Sequence, residues 1–232
     1  MNQDYGVLLY NISIWALPVL IAITFHEAAH GFVARLFGDN TAWRLGRVTF
    51  NPLKHIDPVG TIFLPAMLIL LRSPFLFGYA KPVPVNFGAL RNPRRDMMFV
   101  AAAGPGINLV LAVAAALLLH LVGYLPGTSA QWAAENLKNA LILNVVLAVF
   151  NLLPLPPLDG GRIAVGLLPD RLALPLARLE PYGIMILIGV LFIVPMIGAQ
   201  LGLDFGIVSR VIAAIVSRVA EVILRLTGYG WP

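Results

Sequence analysis

Residues 24–33 read TFHEAAHGFV, and they put His26, Glu27 and His30 inside an apolar run that begins near Val7. Ionisable groups are costly in a bilayer, and one inside a spanning segment marks function by default. Residues four apart on a helix project from one face about one turn apart, so the two imidazoles can grip one zinc ion. Glu27 stands beside them, where it can take a proton from water that the metal activates. The plainer alternative is a pair of helix histidines bonded to neighbouring carbonyls.

The rest of the chain supports a membrane setting. Of its 232 residues, 59% are hydrophobic and 12% charged, with mean hydropathy +0.85. Soluble domains carry about 25% charged residues, so this is the composition of a protein that lives in lipid. The absence of cysteine excludes disulfides and thiolate metal sites. The first apolar run has no basic residue before it and no small-residue cleavage site after it, which reads as a retained helix rather than a signal peptide. A net charge of +5 in such a chain is a topology signal, and no nucleic-acid partner is expected.

No internal repeat or polar linker divides the chain, so 1–232 reads as a single membrane-embedded domain. Apolar segments at roughly 7–36, 97–122, 137–157 and 182–200 are long enough to span. A fifth, 206–227, carries Arg210, Ser217, Arg218, Glu221 and Arg225 largely on one face, and either spans or lies along the surface. The segment 58–71 is short and contains Pro65, which suits a re-entrant element. If it enters and leaves on one side, Arg35, Arg44, Arg47, Lys54, Arg72, Lys81, Arg91, Arg94 and Arg95 share a face with Arg162, Arg171 and Arg178. The opposite loop, 123–138, then offers only Lys138. That asymmetry predicts a cytoplasmic basic face and an outside N-terminus. Segments 41–57 and 78–90 alternate apolar and polar residues with Gly and Pro punctuation, and read as short extended stretches at the cytoplasmic interface. They are either strand edges able to hold an extended peptide or ordinary surface loops. The expected fold is an all-α polytopic membrane protein of about five transmembrane helices, with a re-entrant segment and short β segments.

A catalytic zinc site normally has three protein ligands and one open position. His26 falls near the cytoplasmic end of the first helix, at about 1.5 Å of rise per residue. The stretch NLLPLPPLDGGR ends the 137–157 helix at the same leaflet, where Pro154, Pro156 and Pro157 break the helix. Asp159 on that unwound end is the candidate third ligand; the alternative is a helix-end cap.

HEAAH in the first helix, followed by NLLPLPPLDGGR, resembles the site-2 protease family of intramembrane zinc metalloproteases. GPGIN, Gly104 to Asn108, fits that family's Gly-x-x-x-Asn pattern, and GRVTFNPLKHIDPVGT resembles the segment after its first motif. The likeness covers most of residues 22–165, with C-terminal helices at 182–228 beyond it. It is to the compact branch, since no stretch is long enough for an inserted PDZ or CBS domain. The resemblance implies one zinc held by His26, His30 and Asp159, with Glu27 as general base. It also implies a multi-pass cell-membrane enzyme with its site near the cytoplasmic side, cleaving transmembrane segments of other proteins.

Asn108 and Asn151 are candidate substrate or oxyanion contacts; each has the alternative of bracing helix against helix. Asn144 and Asn151, seven apart, share a face and are candidates to line one groove. Gly104 and Gly106 are candidates for close helix packing. His55 either gates or binds metal, or bonds Asp57 or nearby backbone. His120 is read as interfacial, and Trp15, Trp43, Trp132 and Trp231 as interface anchors. Two rival functions stay open: a membrane metallopeptidase acting on soluble or unfolded chains, and a non-proteolytic metal-binding or transport protein. The first often takes a glutamate ligand, and Glu135, Glu180 and Glu221 sit at poor depths. The second would not need Glu27.

Overall fold

The computed structural model describes residues 2–70, 80–203 and 206–229. Among them the α-helices are α1 (Asn2–Leu36), α2 (Thr41–Arg44), α3 (Leu64–Leu70), α4 (Pro93–Leu119), α5 (Gly127–Asn151), α6 (Asp159–Leu167), α7 (Asp170–Ala177), α8 (Gly183–Ile188), α9 (Val194–Gln200) and α10 (Ile207–Leu226). Four runs are long and apolar enough to cross a bilayer: Tyr5–Leu36, Pro93–Tyr124, Gly127–Asn151 and Asp170–Gly198. The chain is an all-α membrane protein.

The bundle is organised around α4. Its buried positions Ala101, Gly104, Pro105, Asn108, Ala112, Ala115, Ala116 and Leu119 recur every three or four residues, and most are small. In lipid the surroundings are as apolar as the core, so helices associate by close contact, which small residues permit. The Ala112–Leu119 part of this stripe meets Leu141, Val145 and Val149 of α5 and Ala220, Ile223 and Leu224 of α10. Polar ties fix the register. Trp132 Nε1 donates to Ser13 Oγ at 3.0 Å, Asn139 Nδ2 donates to the Ile14 carbonyl at 3.1 Å, and His120 Nε2 donates to the Thr227 carbonyl at 2.8 Å. His120 therefore fastens the end of α4 to the end of α10. On α10 itself, Glu221 pairs with Arg218 at 2.9 Å and with Arg225 at 2.5 Å along an exposed face.

At the other end of the bundle, short connections gather over α1 and α4. The Arg91 N–H donates to the Phe37 carbonyl at 3.0 Å, and the Lys81 N–H donates to the His55 carbonyl at 2.9 Å. The excursion between residues 55 and 81 thus leaves and returns at one place. Buried Asp39 accepts the N–H groups of Thr41 at 2.9 Å and Asn86 at 2.7 Å. Burial alone would raise its carboxyl, but these hydrogen bonds outweigh burial and hold it below the usual carboxylate range.

Several expectations change. No strand forms among the described residues. Residues 41–57 fold instead into α2 and the turn Pro52–Lys54, and 80–86 carries no regular secondary structure, where Pro82 and Pro84 have no N–H to give to a ladder. The helix expected from 137 starts at Gly127, since polar residues such as Ser129, Gln131 and Glu135 continue it. The run expected at 182–200 begins at Asp170 and is divided among α7, α8 and α9. Pro58–Phe63 and α3 are helical, while residue 71, Arg72, residues 78–79 and Trp231 lie outside the described residues.

Candidate metal and catalytic site

The site forms where α1 crosses α4 at Gly104. A Cβ on that glycine would stand 2.5 Å from His30 Nε2 and 2.6 Å from His26 Nε2, so only glycine lets the α4 backbone lie beneath both rings. The two Nε2 atoms are 3.1 Å apart. Asp159 Oδ2 completes the cluster at 3.3 Å from His26 Nε2 and 3.4 Å from His30 Nε2.

Asp159 reaches this point because the chain turns sharply after α5. Its C-terminus at Asn151 gives way to a turn rich in proline, and α6 begins at Asp159 itself. Gly161 lies so close to Leu155 and Pro156 that a Cβ would strike their backbone, and this contact sets α6 against the turn.

The far side of each ring is held by α4. His30 Nδ1 lies 2.7 Å from the Val100 carbonyl, and His26 Nδ1 lies 2.6 Å from Asn108 Oδ1. Both partners are acceptors, so each Nδ1 carries the proton and each Nε2 presents a lone pair. Asp159 Oδ2 is buried without a hydrogen-bond donor. Three acceptors converge, their ligand atoms within 4.8 Å of one another, and they repel unless a cation lies among them. Two imidazoles and a carboxylate suit catalytic zinc, which keeps a fourth position open.

A cavity of about 280 Å³ opens beside the cluster, and Glu27, Asn151, Val83, Val85, Phe87 and Arg162 help to line it. Glu27 Oε2 accepts the Val83 N–H at 2.6 Å. The segment carrying Val83 is tied down by buried Arg47, whose Nη2 donates to the Lys81 carbonyl at 2.6 Å. Asn151 also faces the cavity, with Nδ2 giving one hydrogen to the Leu147 carbonyl at 2.9 Å.

Other expected residues go elsewhere. Asn108 is fully buried and does not line the cavity; its amide is spent on His26, the Ala22 carbonyl and Asn144, which leaves it no group for substrate. Asn144 does not share a groove with Asn151, since it turns to Asn108. His55 stands apart from the cluster, its Nε2 on the Thr49 carbonyl at 2.9 Å, and Asp57 caps the helical turn at Pro58. Gly106 has open space around it, unlike Gly104. Arg162 escaped sequence reasoning, although it follows Asp159 by three residues and so shares its helix face. Its guanidinium pairs with Glu180 at 3.0 Å and lies 5.0 Å over the Phe87 ring.

Comparison with known proteins agrees with this chemistry. The model of peptidase family M50 matches residues 14–137 and 121–196. The chain is 41% identical over 184 residues to "Putative zinc metalloprotease YwhC" of Bacillus subtilis (strain 168), covering 78% of this chain and 80% of that protein. It is 34% identical over 193 residues to "Putative zinc metalloprotease Rip2" of Mycolicibacterium smegmatis, covering 82% and 69%. It is also 28% identical over 163 residues to "Putative zinc metalloprotease MJ0611" of Methanocaldococcus jannaschii, covering 69% and 72%. No solved structure matches.

Proposed function

We propose, from the premise that the chain belongs to peptidase family M50 and is a zinc metalloprotease, that it hydrolyses peptide bonds within or near transmembrane segments of other membrane proteins. The observation that carries this reading is where the cluster hangs. His26, Glu27 and His30 sit on α1, and α4 braces the two histidines; both helices are apolar enough to cross a bilayer. Their outward residues, among them Leu17, Ile21 and Phe32 on α1 and Phe99 and Val110 on α4, are exposed apolar side chains suited to lipid.

In this reading His26, His30 and Asp159 hold one zinc. Zinc, when bound, acidifies water and polarises the scissile carbonyl. Glu27 accepts the proton of the attacking water and delivers it to the leaving amine. Its Oε2 is fixed by the Val83 N–H, which leaves Oε1 to move the proton. Asn151 offers its remaining amide hydrogen to the developing oxyanion or to substrate backbone. The substrate helix unwinds locally first, because helical carbonyls are hydrogen-bonded and shielded. Pro82, Val83 and Val85 then form one wall of the cavity against which the opened peptide lies.

The membrane arrangement is part of the same proposal. The hydrogen bond that joins residues 55 and 81 supports a re-entrant segment between them, and the basic residues around Phe37 and Arg91 favour a cytoplasmic face there. The tie between His120 and Thr227 supports α10 as a further crossing beside α4. Reporter fusions at Arg95 and Gly127 should report opposite sides of the cell membrane, and the same side for both would overturn the topology. For the activity, the detergent-purified protein is given a tagged transmembrane substrate beside a soluble unfolded one. Cleavage of the first alone is expected. Cleavage of the soluble chain alone would favour a peptidase of the cytoplasmic face.

A further inference from the structure

We propose that Asn108 and Asn144 are positioning residues that fix the tautomer of His26 and so keep its Nε2 free for the metal. The inference rests on the metal reading of the site and adds to it which residues prepare His26.

A chain of hydrogen bonds whose direction cannot reverse leads to His26. It starts at a backbone carbonyl: Asn144 Nδ2 donates to Ala140 at 2.8 Å. A carbonyl only accepts, so Asn144 must turn its nitrogen there and its Oδ1 the other way. Asn144 Oδ1 then accepts from Asn108 Nδ2 at 2.7 Å, and the same nitrogen reaches a second carbonyl, Ala22, at 3.3 Å. Asn108 has both hydrogens committed to acceptors, which leaves its Oδ1 to face His26 Nδ1 at 2.6 Å. That distance requires a hydrogen between the two atoms, and the amide oxygen has none. The hydrogen therefore belongs to Nδ1, and Nε2 is bare.

Flipping Asn108 would point an N–H at His26 and an oxygen at both Ala22 and Asn144, setting acceptor against acceptor twice. Asn108 and Asn144 are both buried, at 0% and 2% exposure, so water cannot relieve that conflict. His30 needs no such relay, because the Val100 carbonyl at 2.7 Å can only accept. The two ligands are thus prepared by different devices, one by backbone and one by paired amides spanning α1, α4 and α5. An interhelical amide that merely braced the bundle would have no reason to have a fixed polarity ending on a ring nitrogen.

The full-length protein in detergent, with ring-15N-labelled histidine, tests this in its zinc-free form and by zinc competition against a chelator. Ring 15N shifts in the zinc-free protein should show His26 protonated at Nδ1. Asn108→Leu should lose that pattern and weaken zinc binding about 10- to 100-fold, the usual cost of removing a metal ligand's supporting partner. Asn144→Leu should give a smaller loss, because Asn108 keeps its bond to Ala22. Asn139→Leu, which removes another α1–α5 tie, should leave both readouts at wild-type values. The proposal is overturned if the zinc-free protein shows His26 protonated at Nε2, or if Asn108→Leu binds zinc as tightly as wild type. It is equally overturned if Asn139→Leu weakens zinc as much as Asn108→Leu, since bracing alone would then account for the loss. Wild-type protein that binds no zinc would instead refute the metal reading itself.

Discussion

Gly104→Ala should destroy zinc binding while leaving the bundle folded. The added Cβ would stand 2.5 Å from His30 Nε2 and 2.6 Å from both Cε1 and Nε2 of His26. Ordinary contact begins near 3.4 Å, so the rings or the helix must give way by most of an ångström. The rings cannot simply swing aside, because Asn108 and the Val100 carbonyl hold their far nitrogens at 2.6 and 2.7 Å. Metal sites tolerate departures of only about 0.2 Å in ligand distance, so a shift of this size should cost zinc affinity by more than about 100-fold. The overpacking itself costs about 1–3 kcal/mol, which a membrane bundle can absorb without unfolding. Zinc competition against a chelator and circular dichroism, run side by side, separate loss of metal from loss of fold. Gly106→Ala is the matched control: nothing lies within 4 Å of its Cβ, and alanine favours helix over glycine by about 1 kcal/mol. Gly104→Ala that binds zinc within threefold of wild type would refute the reasoning, because the rings would then have room that the geometry denies them.

Glu27→Gln should retain zinc and lose cleavage of a transmembrane substrate by about 100- to 10,000-fold, the usual share of general-base catalysis; normal turnover would remove Glu27 from the mechanism. Asp159→Ala should weaken zinc binding and cleavage together, and full retention of both would exclude it as a ligand. Arg47→Ala removes the charge-assisted bond on the Lys81 carbonyl, worth about 1.5–3 kcal/mol, so amide exchange at Val83 should quicken by about tenfold or more. Unchanged exchange there would show that Arg47 does not hold the segment. Asp39→Ala should destabilise the protein in a pH-dependent way. The folded carboxyl lies below its ordinary value of 3.8, so its contribution is fully present above that value and fades as pH falls through the lower folded one. Thermal unfolding of wild type and variant should therefore converge in acid, and a constant gap down to the lowest pH would refute it.

The grouping of His26, His30 and Asp159 was legible because it obeys spacing rules. HEAAH places two imidazoles on one helix face, and the proline run before Asp159 ends a helix and frees that carboxylate to turn towards them. The bundle was legible for the same reason, since long apolar runs have few other homes. What stayed hidden depends on which partner a helix meets. Asn108 and Asn151 look alike in sequence, each an amide in an apolar helix. Packing sends one into the interior, onto His26, and leaves the other on the cavity wall. Alternation in 78–90 suggested strand, but it could not reveal that Pro82 and Pro84 isolate a single N–H, Val83, and deliver it to Glu27.

The hidden layer also explains why α4, which supplies no member of the cluster, determines what His26 and His30 on α1 can do. Gly104 makes the room in which both rings meet, Val100 holds one of them through backbone, and Asn108 holds the other through a side chain. These three residues lie four apart, one on each of three successive turns of a single face. That periodicity matches the spacing of His26 and His30, one turn apart on α1. Two helices in contact therefore present rings and supports in step, and a one-residue slip of α4 would separate every pair at once. The same small-residue stripe that lets α4 pack tightly in lipid continues into this face. Close packing and metal preparation thus draw on one pattern, and a substitution that loosens the first should be read at the metal before it is seen in the fold.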